Sequence, residues 1–293
     1  MTDRIRIAHL VNPVKAPVYS ELTYAQPITF ETMRVARETA GREVAVELLT
    51  AQFPEDHEII PAYFRQTPDL ERSAADFGLF TKPKKLPLLK DLLERLYEAS
   101  DAPYLIYTNV DIALQPHFYL EVVKRIRSGL DAFMINRRRI PGHFRTLEEL
   151  PEMYAHPGAA HPGFDCFVFH RSLYPQFQLE KVCVGIPFIE MTLSQNLFCY
   201  ARNFQLFDRD FLTFHIGMEI FKQRDREYFL YNKREFWKAV GKMWPALDSR
   251  KFPWGKRNVV YRMITWGLHP AIPIRLALML EPRRWKSGPD VKS

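Results

Sequence analysis

Cysteine is scarce in this chain, and its spacing does not indicate a cross-linked or metal-bound structure. The 293 residues contain Cys166, Cys183 and Cys199, with no CxxC pair among them. Neither a disulfide framework nor a thiolate zinc site is therefore indicated. We interpret the three as small buried apolar residues, which is the usual environment of free cysteine.

Long apolar runs are also absent from the two ends of the chain. The N-terminal apolar stretch stops at Asn12 and Pro13, which is too short for the core of a signal peptide. The C-terminal tail, broken by Pro270 and Pro273, falls far short of the roughly 20 apolar residues that a spanning helix needs. We predict a cytoplasmic protein with no cleaved leader, which would lie at the inner face of a membrane if its tail contacts lipid.

Net charge is nearly absent from the first 249 residues, which sum to −1, whereas residues 250–293 carry +8. A near-neutral core disfavours nucleic-acid binding, so no nucleic-acid partner is expected. The basic tail also contains Trp266 and Trp285, a mixture that fits peripheral contact with an anionic membrane. Docking of the tail onto the core or onto a second subunit is the alternative.

Glycine is missing from the loop that follows the first predicted strand, NPVKAPVYSELTY. A nucleotidyltransferase normally opens with a glycine-rich, basic phosphate loop at this place. The GxxxxGK[ST] and GxGxxG patterns of P-loop and dinucleotide-binding proteins are also not found in a suitable context. These absences count against all three classes.

The elements that are present alternate between strands and helices. Hydrophobic residues make up 47% and charged residues 26% of the chain, as in soluble globular proteins. Hydrophobic periodicity predicts strands at 4–11, 44–53, 104–114, 131–140, 164–172 and 204–217, helices at 28–41, 86–100, 116–129 and 186–201, and a long loop at 54–85. This order predicts an α/β domain with a central, mostly parallel sheet flanked by helices. A change of composition near residue 225 predicts a catalytic domain at 1–224 and a helical, basic extension at 225–293.

The first candidate site residues are Asn109 and Asp111, which follow the apolar strand YLIYT. Ligands of parallel α/β sheets bind outside the carboxyl ends of the strands. If the backbone stays extended, the i, i+2 spacing turns both side chains to one side, where they suit a hard divalent cation. The alternative is that the pair only turns the chain and caps the helix near Pro116.

The segment YTNVDIAL resembles the DxD region of GT-A glycosyltransferases, with Asn109 in place of the first Asp. The later segments GFDCFVFHRS, GIPFIEMTL and FDRDFLTFHIG are similar in order to the acceptor loop, acidic helix and closing histidine of that family. The resemblance covers residues 4–217. It implies a GT-A-like domain that transfers a sugar from a nucleotide-sugar donor to a glycan, lipid-linked or small acceptor.

The resemblance also implies a divalent metal, Mn²⁺ or Mg²⁺, held by Asp111 and His215 against the diphosphate of the donor. Asn109 would contact the ribose or a metal-bound water. Because Asn109 carries no charge, the dependence on metal stays open. Glu190 would be the general base that deprotonates the acceptor hydroxyl, with Asp165 as a competitor for that role or as a ligand of acceptor hydroxyls.

Further residues are expected around the donor and the acceptor. Asn12 and Gln52 follow the first two strands, where a base and ribose would lie. The acceptor would be selected by His156 and His161, in a loop, AHPGAAHPGFD, that we expect to be irregular and exposed. Two basic runs could add charge near the diphosphate, or could simply be solvated surface: Lys84 and Lys85, and Arg137, Arg138 and Arg139.

Two other functions remain open from the sequence. A nucleotidyltransferase would share the sheet and the metal-held phosphates. A non-catalytic sugar- or nucleotide-binding protein would retain the site without turnover, since Asn109 weakens the metal site. Turnover of the donor separates these from a glycosyltransferase.

Overall fold

The computed structural model describes residues 4–208, 210–216, 225–248, 250, 258 and 260, with only the backbone at 160–163. Within these residues there are nine strands: β1 (Ile5–Val11), β2 (Val44–Thr50), β3 (Arg65–Gln66), β4 (Tyr104–Thr108), β5 (Ala113–Leu114), β6 (Ala132–Ile140), β7 (Ala159–His170), β8 (Phe204–Phe207) and β9 (Thr213–Ile216). The same residues form six α-helices: α1 (Leu22–Ala40), α2 (Leu89–Ala99), α3 (Phe118–Arg127), α4 (Leu150–Ala155), α5 (Ile189–Tyr200) and α6 (Arg226–Met243). Short 3-10 helices lie at Pro54–Ile59, Ala74–Asp76, Leu147–Glu149, Arg171–Gln176 and Trp244–Ala246.

The strands form one mixed sheet in the order β3-β2-β1-β4-β7-β6-β9-β5, with β8 also paired to β6. The pairs β1–β2, β1–β4, β2–β3, β6–β8 and β6–β9 are parallel. Strand β7 runs antiparallel to both β4 and β6, and β5 runs antiparallel to β9. The predicted α/β class, with a central and mostly parallel sheet, is confirmed.

Both faces of the sheet are covered by helices, which explains why its central strands are apolar on both sides. Along β4, Leu105 and Tyr107 pack into a core cluster shared with α2, α5 and α6. Ile106, between them, packs into a second cluster that includes α1 and α3. Helix α5, which carries Glu190, is therefore anchored on the same face as Tyr107.

Two strands predicted as continuous are each divided in two. The segment 104–114 ends β4 at Thr108, turns through Asn109 and Asp111, and resumes as β5, which pairs with β9. The segment 204–217 forms β8 and β9, which pair with the first and second halves of β6. The division of that segment coincides with a register shift in β6 at Asn136, whose side chain donates to the carbonyl of Asp208 between the two strands.

Two other boundaries differ from the expectation. Helix α1 begins six residues before Ile28 and contains Pro27, which leaves one backbone hydrogen bond of the helix unmade. Its first turns are held by Gln26, whose side chain bonds the backbone N and O of Val14, both at 2.8 Å. The loop 54–85 contains two 3-10 helices and β3 rather than one short helix at most.

The division at residue 224 stays a prediction. In the described part of 225–293, α6 packs Phe236, Ala239 and Met243 into the core cluster of α2 and α5. None of the helices in the described residues is both long and apolar enough to cross a membrane. The predicted membrane contact of the tail, with Trp266 and Trp285, lies outside the described residues.

Candidate active site

The carboxyl ends of the parallel strands β1, β2 and β4 meet at one edge of the sheet. This edge brings together Asn12 after β1, Gln52 after β2 and Asn109 after β4. It is the position at which open α/β sheets bind their ligands. The partners of these three side chains differ, and the difference separates the edge into two parts.

On the β2 side, the polar side chains are bonded to backbone. The amide of Asn12 donates to the carbonyl of Ala51 at 2.7 Å. Gln52 is fully buried and donates to the carbonyl of Thr67 at 2.8 Å, while its own oxygen accepts from the hydroxyl of Thr50 at 2.8 Å. Both amides thus connect the loops to the sheet.

A histidine–carboxylate pair next to Gln52 was not predicted from the sequence. Asp69 Oδ1 lies 2.8 Å from His57 Nε2 and 3.0 Å from Gln52 Nε2. Burial would raise the pKa of Asp69, but the hydrogen bonds from Gln52 and His57 outweigh it and lower that pKa. The hydrogen bond with Asp69 raises the pKa of His57 in turn. The sequence does not predict this pair, because the strand that places Asp69 near His57, β3, has only two residues and leaves no periodic pattern.

On the β4 side, a chain of side-chain contacts begins at Tyr107. Its buried hydroxyl donates to Asn109 Oδ1 at 3.2 Å, and Asn109 Nδ2 donates to Asp165 Oδ1 at 3.2 Å. The other carboxylate oxygen of Asp165 lies 3.1 Å from Nη1 of Arg137. Asn109 can contact Asp165 because Asp165 lies on β7, which pairs antiparallel with β4. An antiparallel neighbour of this kind was not predicted.

Asp111 and His215 form the next pair, with 3.2 Å between Asp111 Oδ2 and His215 Nε2. The turn 109–111 is not extended, so the i, i+2 argument for these side chains was wrong. The two residues meet instead because β5 pairs with β9. Asp111 Oδ1 is buried and has no hydrogen-bond partner in the part of the chain that the structure describes.

The electrostatics of this group follow from three carboxylates close to one arginine. Burial alone would raise the pKa of Asp111, but the hydrogen bond and charge of His215, with the charge of Arg137, lower it. Burial raises the pKa of Asp165, an effect that Arg137 opposes and Asp111 reinforces. Burial also raises the pKa of Glu190, and the neighbouring charge of Asp165 adds to the increase.

Glu190 is held in place by backbone on both sides. It lies in the first turn of α5, and its Oε1 accepts from the backbone N–H of Phe164 at 3.0 Å, directly beside Asp165. The residue before α5, Phe188, has a left-handed φ of 97°, which is uncommon for a side chain of this size. Phe188 packs against Phe229 and Phe236 of α6, so the core stabilises this backbone conformation and thereby the start of α5.

The remaining predicted site residues lie outside this contact chain. Lys84 pairs with Asp225 at 2.9 Å, and Lys85 pairs with Glu55 at 2.7 Å and lies over the ring of Phe53. Both lysines therefore have anionic partners within the protein.

The histidine loop is only partly irregular. His156 ends α4, and its Nδ1 accepts from the N–H of Gly158 at 2.9 Å. From Ala159 onward the segment belongs to β7, paired with β6, and not to an irregular lip as expected. His161 is part of this strand, and its side chain lies outside the described residues. Its role and that of His156 stay predictions.

The three arginines of β6 separate into different environments. Arg137 is part of the site, whereas Arg138 donates to the carbonyls of Pro157 and Gly158. Arg139 is in register with His215 on β9. Of these three arginines, Arg137 is the one that forms an ion pair with a carboxylate of the contact chain in the described part of the structure.

A divalent cation is compatible with Asp111 and His215 but would have only two protein ligands there. The observation that favours a cation is the buried Oδ1 of Asp111, which no group in the described part of the chain bonds. No group of three potential side-chain ligands occurs among the described residues. Such a cation would need substrate oxygens to complete its coordination, as magnesium ions at phosphate sites commonly do.

Comparisons with known proteins give only distant likenesses. No protein-family model matches the chain, and a search of curated proteins finds no match either. Among solved structures, the chain is similar to S. aureus TarS 1-349 in complex with UDP-GlcNAc, at 8% identity and a TM-score of 0.48, over 80% of this chain and 66% of that one. It is also similar to the same protein in complex with UDP, at 6% identity and a TM-score of 0.49, over 88% and 68% of the two chains. For M. tuberculosis glucosyl-3-phosphoglycerate synthase, the identity is 13% and the TM-score 0.45, over 82% and 81%.

Proposed function

We propose that the chain is a glycosyltransferase that moves a sugar from a nucleotide-sugar donor to a glycan, lipid-linked or small acceptor. The observation that carries the proposal is the group of side chains at the end of β4. One carboxylate, Asp111, has a buried oxygen that no group in the described residues bonds, and a second carboxylate, Glu190, has a raised pKa. Titratable groups with shifted pKa values, gathered at a strand end, are typical of catalytic sites.

On the donor side, the leaving group is a nucleoside diphosphate, whose developing charge needs positive partners. Asp111 and His215 would hold Mn²⁺ or Mg²⁺, and that cation would supply most of this charge. Arg137 adds a fixed positive charge within the group. Lys84 and Lys85 are less suited to the role because each is paired with a carboxylate.

On the acceptor side, we assign the base to Glu190 rather than to Asp165. Burial raises the pKa of Asp165 as well, but its carboxylate already accepts from Asn109 and is paired with Arg137, so it is less available to an acceptor hydroxyl. Glu190 has a raised pKa, closer to neutral pH, which suits general-base catalysis. The acceptor hydroxyl would give its proton to Glu190 while its oxygen bonds the anomeric carbon and the bond from that carbon to the diphosphate breaks.

The experiment that tests the proposal is a thermal-shift screen of nucleoside diphosphates and nucleotide-sugars, with and without Mn²⁺. A ligand that binds only the native state raises its melting temperature by mass action. We expect one nucleotide to stabilise the wild type in the presence of Mn²⁺ and to have no effect on Asp111→Ala. The donor selected in this way is then incubated with the protein, and release of the nucleoside diphosphate is measured.

The matched control is Asp101→Ala. Asp101 is an exposed carboxylate paired with Arg6 before β4, at the opposite end of that strand from Asn109. This variant should respond to the nucleotide as the wild type does. Binding without release of nucleoside diphosphate would favour a non-catalytic binding protein, and the absence of any shift across the panel would remove the support for a nucleotide-sugar donor.

A further inference from the structure

Glu190 lies two residues after a loop whose backbone is unusual. Residues 183–188, which we call the α5 entry loop, end at the residue before α5. Gly185 has a φ of 84° and Phe188 a φ of 97°. Such a φ is unfavourable for a residue as large as phenylalanine, and it persists only where the surrounding structure holds it. The place of Glu190 therefore depends on the contacts of this loop.

The first half of the α5 entry loop is held by the segment before α2. Cys183 forms an antiparallel bridge with Leu88, and the backbone N–H of Val184 donates to the carbonyl of Pro87 at 2.9 Å. This pairing ends at Val184, three residues short of Pro187. The contacts that hold the second half of the loop come from α6.

Asn232 on α6 bonds both ends of the α5 entry loop. Its side chain is fully buried. Nδ2 donates to the carbonyl of Cys183 at 2.9 Å and to that of Pro187 at 3.1 Å, and Oδ1 accepts from the backbone N–H of Cys183 at 2.9 Å. An amide has two hydrogens to donate, so both are used on this loop. One side chain thereby fixes the distance between Cys183 and Pro187.

The same face of α6 encloses Phe188. Phe229 and Phe236 lie three residues before and four residues after Asn232, so the three side chains share one face of the helix. The ring centroid of Phe188 is 5.3 Å from that of Phe229 and 5.3 Å from that of Phe236. Helix α6 thus holds both the carbonyl groups of the loop and the residue with the unfavourable φ.

The carboxylate of Glu190 extends from α5 to the sheet. Its Oε1 accepts from the backbone N–H of Phe164 at 3.0 Å, and the charged groups that act on it are Asp165 of β7 and Arg137 of β6. Hydrogen bonds weaken steeply when their distance or angle changes. A shift at the start of α5 would therefore weaken the bond to Phe164 and move the carboxylate within the site.

We propose that Asn232 is a positioning residue, which holds the α5 entry loop and so places the carboxylate of Glu190 against the amide of Phe164. The inference rests on the proposed function, because it matters for catalysis only if Glu190 is the base. It also makes α6, which lies beyond the predicted domain boundary at residue 224, part of the support of the candidate site.

The first test is hydrogen exchange of the Phe164 amide, which does not need turnover. In Asn232→Ala, this amide should exchange about tenfold faster relative to the amides of β4, as when one hydrogen bond is lost locally. The effect would occur at a distance, since Asn232 bonds residues 183 and 187. Glu190→Ala calibrates the measurement, because it removes the acceptor of that amide directly.

The matched control is Asn196→Ala. Asn196 is also a fully buried amide, and it bonds the backbone N–H and carbonyl of Gln178 at 2.6 and 2.9 Å. Its loss should lower the melting temperature in the same way, but Gln178 does not lead into α5 at Glu190. The Phe164 amide should therefore keep its wild-type rate relative to β4 in this variant.

The second test uses the proposed reaction. In Asn232→Ala, kcat for release of the nucleoside diphosphate should fall about tenfold or more, since a small displacement of a catalytic group is costly. The affinity for the nucleotide should stay the same, and Asn196→Ala should keep the wild-type kcat. If Asn232→Ala does not fold, Phe229→Ala replaces it, because it removes a half-buried ring from Phe188 and should change both measurements in the same direction.

Two results would overturn the inference. One is an equal acceleration of the Phe164 amide in the Asn232 and Asn196 variants, or none in either, which would leave Asn232 a purely structural role. The other is a wild-type kcat in folded Asn232→Ala. A wild type that releases no nucleoside diphosphate would contradict the proposed function instead, and the exchange measurement would still decide whether Asn232 places Glu190.

Discussion

The two parts of the sheet edge use polar side chains in opposite ways. After β1 and β2, Asn12 and Gln52 each donate to a backbone carbonyl that the fold itself provides, and Gln52 donates in addition to Asp69. After β4, Asp111 and Asp165 contact other ionisable or amide side chains, and Asp111 keeps a buried oxygen without a partner among the described residues. Buried polar groups are nearly always satisfied in native proteins. Residues of both parts follow directly after a strand, so this position alone does not identify a functional residue. The group that each side chain bonds distinguishes a structural residue from a candidate catalytic or binding residue.

The largest effect that the comparison predicts is on activity after Asp111→Asn. The substitution keeps the shape of the side chain and removes the charge that would hold a cation against the donor. Turnover of the nucleotide-sugar should fall by about a hundredfold or more, as when one transition-state contact of an electrostatic site is lost. The rate of nucleoside diphosphate release checks this, with the melting temperature measured in parallel.

Full activity in Asp111→Asn would show that the charge of Asp111 is not needed for turnover. The proposed difference between the two parts of the sheet edge would then fail at the residue on which it mainly depends. Activity lost together with a collapse of the melting temperature would assign Asp111 a structural role like that of Gln52. The expected result is loss of activity in a protein that melts near the wild-type temperature.

Gln52→Ala should produce the reverse pattern. The change leaves the buried hydroxyl of Thr50 and the carbonyl of Thr67 without their amide partner. Each buried group left unsatisfied costs about 1–3 kcal/mol, so with two such groups the free energy of unfolding in urea should fall by about 2–6 kcal/mol. Affinity for the nucleotide should change little.

A tenfold loss of nucleotide affinity with unchanged stability would instead make Gln52 the base- or ribose-binding residue that its place in the sequence predicts. Asn12→Ala is the partner experiment. Its side chain bonds Ala51 in the same way, but from a less buried position.

A smaller effect is expected for Asn109→Asp. Asn109 is an amide, like Asn12 and Gln52, but its partner is a carboxylate of the site rather than a backbone carbonyl. The amide donates to Asp165 at 3.2 Å, so an aspartate there would place two carboxylates at that distance, where both cannot readily ionise. We expect kcat at neutral pH to fall about tenfold, with a smaller effect in Asn109→Ala. If Asn109 were a weakened metal ligand, the same change would increase turnover at low Mn²⁺ concentration.

The sequence predicts the α/β class and the carboxylate after β4, because strongly apolar strands and the residues that end them are local signals. It does not predict how distant segments pair. The contact of Asp165 with Asn109 depends on β7 running antiparallel to β4, and that of His215 with Asp111 depends on the two-residue strand β5. Asp69 was missed for the same reason, since β3 is too short to leave a periodic pattern.

Lys84 and Lys85 show the reverse case, in which the sequence suggests site residues that are already paired with carboxylates in the folded protein. Lys84 and Lys85 looked suited to a diphosphate because charge density is visible in sequence. Their partners Asp225 and Glu55 lie 141 and 30 residues away along the chain, so the neutralisation is not visible there. A local reading counts charges, whereas a site depends on which charges remain available after folding.

The smallest expected effect concerns pH and Glu190. Its pKa in the folded protein is raised above that of the unfolded chain, because burial and the charge of Asp165 disfavour the ionised form. The unfolded chain therefore releases this proton at lower pH, and the wild type loses stability as pH rises toward the folded pKa. Glu190→Gln cannot ionise, so its melting temperature should gain on that of the wild type by about 2–4 °C between neutral and alkaline pH.

The same titration should increase wild-type activity with pH, since the base must be ionised. The control Glu152→Gln, at an exposed position of α4, should match the wild type in both measurements. A constant difference in melting temperature between wild type and Glu190→Gln across this range would show that Glu190 is already ionised at neutral pH, and the assignment of the base would then move to Asp165.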